Sequence, residues 1–218
     1  MDDIPAWLDK IDWEKQWSAS HLFWGGMHCY SFSALCTDEW KRAVREWLLA
    51  NCDESTGYWR RGTVYTDRHQ ALGGLAHILP IFEHQDWEFP FIRKTVDSVL
   101  AMQLPSTLWI SGNPYFPATY LDLDALYVLR YSKTYDPGYR AGDIKAACEA
   151  YAETVLAAYI NNKHLLYNQH PHQVLAAVGI FGLLQFLLPN KFTDDREWSD
   201  IFSDRRLYQT DEVEVIKN

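Results

Sequence analysis

At 218 residues and 48% hydrophobic, the chain is long enough to bury one sizeable core and too apolar to remain disordered. A net charge of −9 and a pI of about 5.3 argue against a nucleic-acid partner, because phosphate binding needs clustered Lys and Arg. The basic clusters, Arg60-Arg61 and Arg205-Arg206, are only pairs.

The first 19 residues, through Trp7, Trp13 and Trp17, read as an aromatic arm or short helix. Ser18 or Ser20 is positioned to cap a helix over Ser20–Cys36, which is apolar on nearly all sides and therefore an inner one. Thr37 or Asp38 then opens an outer helix. Trp40, Val44, Trp47 and Leu48 fall at i, i+4, i+7 and i+8, with Lys41, Arg42 and Arg45 on the other side. A turn at Gly57 closes it. The alternation repeats. Asp67–Phe82 is apolar and inner; Phe91–Gln103 is amphipathic, with Ile92, Val96, Val99 and Leu100 on one face. Tyr120–Tyr131 is the third inner helix, with Asp122 and Asp124 read into its first turn. Gly142–Ile160 is the third outer helix, with Ile144, Ala147, Tyr151 and Val155 inward. Pro171–Leu188 is the fourth inner helix. It contains the longest apolar run, Val174–Leu188, which is too short to span a bilayer comfortably. A stretch near 194–202 reads as the stub of a fourth outer helix, and the tail 205–218 is polar and loose.

These units are internal repeats of about 50 residues. His21, His69 and His172 each precede a pair of small residues by four positions, and Leu121 holds that place in the third unit, ahead of Ala125. The fold expected over 20–204 is all-α: an α/α toroid, partial or small, of about four helical hairpins. An ordinary helical array is the alternative.

The ends of two outer helices add a second pattern. Trp47–Gly62 and Val99–Pro114 each run from a helix through a turn to a tryptophan, with Gly57 and Trp59 in one and Gln103 and Trp109 in the other. This resembles the repeat of the terpenoid cyclase and protein prenyltransferase superfamily, in which a Gln…Gly…Trp turn ties neighbouring hairpins together. Asn51-Cys52-Asp53 and Thr107 depart from that pattern. Asp122-Leu123-Asp124-Ala125 resembles the Asp-x-Asp-Asp segment of class II terpene cyclases with its last Asp replaced. The resemblance implies Asp124 as an acid that protonates an alkene or epoxide of an isoprenoid. Such an acid must be unusually strong, which requires neighbours that stabilise its carboxylate. A bland alternative stands beside it: carboxylates in a first turn cap the helix and meet its dipole.

Other chemistry is open at this stage. A toroid brings His21, His69 and His172 to one rim beside Asp122 and Asp124. Such donors suit Zn or Fe in type, or an acid–base set without metal; no pair has tight metal spacing, and no metal or cofactor is assigned. Arg68, His69, Tyr65, Tyr120, Tyr167, Asn168 and His170, with Trp24, are the residue types of carbohydrate lyases and of sugar stacking. The candidate set is therefore Asp124, Asp122, His69 and His172 for catalysis. His21, Arg68, Tyr65, Trp24, Tyr120, Tyr167, Asn168 and His170 are candidates for substrate contact. Expected ligands are a hydrophobic or anionic small molecule, or a carbohydrate, because helix N-termini favour anions. A non-catalytic domain completed by a second copy or a partner subunit is the reading from a different class. The four cysteines have no metal or redox spacing and no leader segment precedes them, so reduced, mostly buried cytoplasmic thiols are expected, with no transmembrane segment.

Overall fold

The computed structural model describes residues 3–31, 36–63, 67–110, 116–166, 168–192 and 202. Regular structure among them is helical, as the periodicity requires; an isolated antiparallel bridge joins Cys52 to Trp59. No helix among the described residues is long and apolar enough to cross a membrane. Two compact units form, one of residues 3–53 and 58–89, the other of 54–57, 90–192 and 202.

The first unit opens with α1 (Ile4–Asp9), capped by Asp3, whose carboxylate accepts from the Ala6 amide. Helix α2 (Gln16–Phe23) starts a turn earlier than the serines suggested, at Lys15, which contributes no side-chain cap. Ser20 is instead fully buried, and its hydroxyl donates to the Trp17 carbonyl at 2.6 Å. The helix then widens into a π-helical stretch, Trp24–His28, and ends in the short α3 (Cys29–Ser31). Helix α4 (Asp38–Asn51) matches expectation. Thr37 accepts from the Trp40 amide, Asp38 and Glu39 meet the dipole of the first turn, and Trp40, Val44, Trp47 and Leu48 are buried. Helix α5 (Arg68–His84) is capped by Asp67 and buried from Ala71 through Leu79 except at His77.

Side-chain pairs fix the directions. Trp40 meets Tyr30 and Trp47 meets Trp13, so α4 runs against α2 and α3. Gly74 lies against Gln16, and Ser20 lies 2.9 Å from His77, so α2 and α5 run parallel. Gly73 and Gly74 permit that approach, since a Cβ on either would sit 3.2–3.3 Å from Gln16 or the Trp17 ring. Among the described residues, Gly25 and Gly26 have no such neighbour within 4 Å. The small pair of α5 is thus the one seen to bring two helices together among the described residues.

The second unit holds α6 (Ile92–Met102), α7 (Tyr120–Tyr135), α8 (Ala141–Leu166) and α9 (Pro171–Leu187). All four residues expected to face inward from α8 are buried, as are Ile92, Val96 and Val99 of α6, while Leu100 is half-buried. Helix α8 runs six residues past its expected end, with non-helical backbone at Asn162. Gln173 donates to the Ala118 carbonyl beside the start of α7. At the other end Lys133 Nζ donates to the carbonyls of Phe186 and Leu187, at 2.8 and 2.9 Å. Helices α7 and α9 are therefore parallel. Arg93 reaches Asp136, and Lys191 reaches Glu149, so α6 and α8 run against them. Each unit thus contains two parallel apolar helices with amphipathic helices returning between them.

The turns after α4 and α6 are built alike. Trp59 Nε1 donates to the Leu48 carbonyl at 2.7 Å, and Trp109 Nε1 to the Val99 carbonyl at 2.9 Å. The Trp109 indole thereby satisfies a carbonyl of the last turn of α6, and the Trp59 indole is a second donor to a carbonyl that also accepts from the Cys52 amide. The backbone closes through Asp53 N to Tyr58 O in one turn and Leu104 N to Leu108 O in the other. Gly57 has φ +77°, and Thr107, at the matching place, has φ +72°. Glycine adopts that conformation freely, whereas threonine is strained there. Gln103 donates to the carbonyls of Thr107 and Ala147, joining its turn to α8.

Cys36, Cys52 and Cys148 form no disulfide among the described residues; the latter two are buried, and burial pushes Cys148 up to about 12. The stretch 194–202, apart from Phe202, and the tail 205–218 lie outside the described residues.

Candidate functional site

The two aspartates of α7 differ in every respect that matters. Thr119 is the N-cap, and Asp122, three residues on, completes a capping box with it. One Asp122 oxygen accepts from the Trp109 amide at 2.8 Å; the other accepts from the Thr119 amide and hydroxyl, at 3.0 and 2.8 Å. Its carboxylate is engaged in holding the turn after α6 to the start of α7. Asp124 falls beyond the first turn, where no orphan N–H groups remain for it. It is 6% exposed, and no described residue hydrogen-bonds its carboxyl. Burial, and then the charge of Asp122, hold it well above the usual aspartate range.

Tyr120 lies one helical turn before Asp124 on the same stripe of α7. Its ring stacks on His172 of α9, with centroids 5.1 Å apart and planes 19° from parallel. His170 caps α9, its ring accepting from the His172 amide. Asn168 is exposed and donates to the His164 carbonyl at the end of α8. The parallel starts of α7 and α9 thus gather a buried carboxyl, a half-buried Tyr and two exposed His.

The histidines of the first unit pair differently from the repeat count. His21 stacks on His77 at 4.4 Å, with Trp24 6.0 Å from the same His77 ring. Ser20 Oγ, which donates to the Trp17 carbonyl, lies 2.9 Å from His77 Nδ1. His69 sits with the α5 cap, 3.1 Å from Asp67, and Arg68 is exposed. Level partners across α2 and α5, such as Ser20 and His77, are 57 residues apart, while His21 and His69 are 48 apart. His69 therefore lies about 13 Å along the axis from the level of His21. In the second unit the expected register holds to within a turn, since His172 is level with Tyr120. His77 went unnoticed in the sequence, although it stands one turn beyond Gly73, on the face those glycines bring against α2. Tyr65 and Tyr167 lie outside the described residues.

Among the described residues no group of three His, Cys, Asp or Glu converges to hold a metal ion. No protein-family model matches the chain, and no curated protein or solved structure matches it either.

Proposed function

We propose that the starts of α7 and α9 form a general-acid pocket in which Asp124 is the acid and Tyr120 and His172 seat the substrate. The observation that carries this reading is Asp124 itself, a buried carboxyl with no hydrogen bond to a described residue and no capping role. A buried polar group left unpaired costs stability, and a perturbed acid of this kind is a functional candidate.

The environment narrows the chemistry. Nothing described beside Asp124 stabilises its carboxylate, and Asp122 opposes ionisation. It is therefore a weak acid, unsuited to protonating an unactivated alkene and suited to an oxygen. The cyclase-like reading that fits is the opening of an isoprenoid epoxide. Asp124 gives its proton to the epoxide oxygen as the C–O bond breaks, and a double bond of the same chain traps the cation. The proton lost as the last cation becomes an alkene returns to the carboxylate, so the net reaction is an isomerisation. With a C15 isoprenoid epoxide as substrate, Asp124→Asn should keep binding and lose turnover by about 10²–10⁴. Turnover unchanged by Asp124→Asn removes the acid role.

A non-catalytic reading is favoured by one feature. Leu175, Val178 and Phe186 leave 38–46% of their surface exposed on α9, a mostly apolar helix. Such a face suits a second chain. Mass measurement in solution checks it: a dimer that Val178→Asp dissolves supports the reading, and a strict monomer at high concentration excludes self-association.

A further inference from the structure

A cavity of about 590 Å³ lies at the opposite end of the same helices, between the last turns of α7 and α9 and the first turns of α8. That volume is in the range of small-molecule sites. We propose that it binds a small amphipathic anion, a single carboxylate or phosphate head on a short apolar body.

The walls are apolar, from Ile144, Leu187, Leu188 and Pro189. The charged lining is three lysines, Lys133, Lys145 and Lys191, against one glutamate, Glu149. This is a local cationic concentration in a chain of net charge −9. The three ammoniums differ in what they have free. Lys191 is shared between Glu149 and Glu153, at 3.4 and 3.5 Å. Lys133 spends two of its three N–H donors on the Phe186 and Leu187 carbonyls, which leaves one. Lys145 is exposed and has no ion pair with a described residue. The α8 dipole is positive at this end and adds to the preference for an anion. Asp143, the acid of that first turn, is already paired with Arg140. A cation would meet the lysines, and a bare inorganic anion would leave the apolar walls unused. Asp124 is about 13 Å away along α7, so this site is separate from the acid pocket and does not depend on it.

Titration calorimetry of the full chain with decanoate at low ionic strength tests the proposal. Saturable one-to-one binding is expected. Lys145→Glu should weaken it about tenfold through charge reversal. Ala141→Trp, which fills the cavity from an exposed position, should abolish it. Decyl phosphate binding within tenfold of decanoate supports recognition of the head by charge. Decyltrimethylammonium or decanol binding as tightly as decanoate overturns the anionic head. Inorganic phosphate binding as tightly overturns the apolar body. Decanoate binding that survives Ala141→Trp unchanged overturns the location.

Discussion

Asp124→Asn is expected to make the chain more stable at neutral pH and to remove part of its pH dependence. The sign follows from the direction of the shift. Burial and Asp122 raise the folded-state pKa of Asp124 above its ordinary value of 3.8. The unfolded chain therefore releases this proton first, while the folded chain retains it. The stability that Asp124 contributes is fully present below pH 3.8 and is lost as pH rises through the folded pKa. Across that window the wild type loses about 1.4 kcal/mol per pH unit from this one group. Asparagine has nearly the shape of the neutral acid and cannot ionise. Denaturant unfolding from pH 4 to pH 8 should give curves that converge at the acid end and separate as pH rises toward the folded pKa, with the variant higher. Parallel curves would mean that Asp124 is solvated and ionises normally, and the acid pocket would lose its basis. The same property predicts a rate that falls as pH rises through the Asp124 pKa, because only the protonated form donates.

Trp109→Ala should cost about 3–5 kcal/mol, the range for deleting a fully buried aromatic. Trp109 is 0% exposed, packs against Tyr151 with ring centroids 5.2 Å apart, and caps the Val99 carbonyl through its indole. Trp59→Ala should cost a similar amount in the first unit, where Trp59 caps Leu48 and stacks on Phe89 at 5.6 Å. Phenylalanine at either position keeps most of the ring packing and loses the indole N–H, so about 1 kcal/mol is expected for each. Equilibrium unfolding of the four variants tests whether the two turns are energetic equivalents. A Trp109→Ala loss below about 1 kcal/mol would show that the turn is not the brace its geometry describes.

Much of this was legible in the sequence because helical periodicity reports directly on burial. Thr37, Trp40, Val44, Trp47 and Leu48 fixed one outer helix almost to the residue, and Ile144, Ala147, Tyr151 and Val155 fixed the buried side of another. The misses share a cause, which is that periodicity says which side of a helix is buried and not which neighbour covers it. Asp122 and Asp124, two residues apart, point to different sides of α7; only the fold tells which one meets the Trp109 amide. Equal residue counts are also a poor ruler of height. The turn after α4 closes from Asp53 to Tyr58 and that after α6 from Leu104 to Leu108, one residue shorter. The π-helical Trp24–His28 consumes more residues per turn than its neighbours. In the first unit His21 is accordingly level with His77 and not with His69. The lysine-lined cavity left no periodic trace, because it is assembled from the ends of three helices.

The paired clamps on α7 and α9 have a mechanical consequence. Gln173 fastens one end of the couple and Lys133 the other, and between them Leu123 is seated where a Cβ on Gly179 would fall within 2.9 Å. A pair held at both ends and keyed in the middle can neither slide nor splay one helix at a time. The two helices move, and come apart, as a single block. The acid at one end of α7 and Lys133 at the other are therefore carried on one spar.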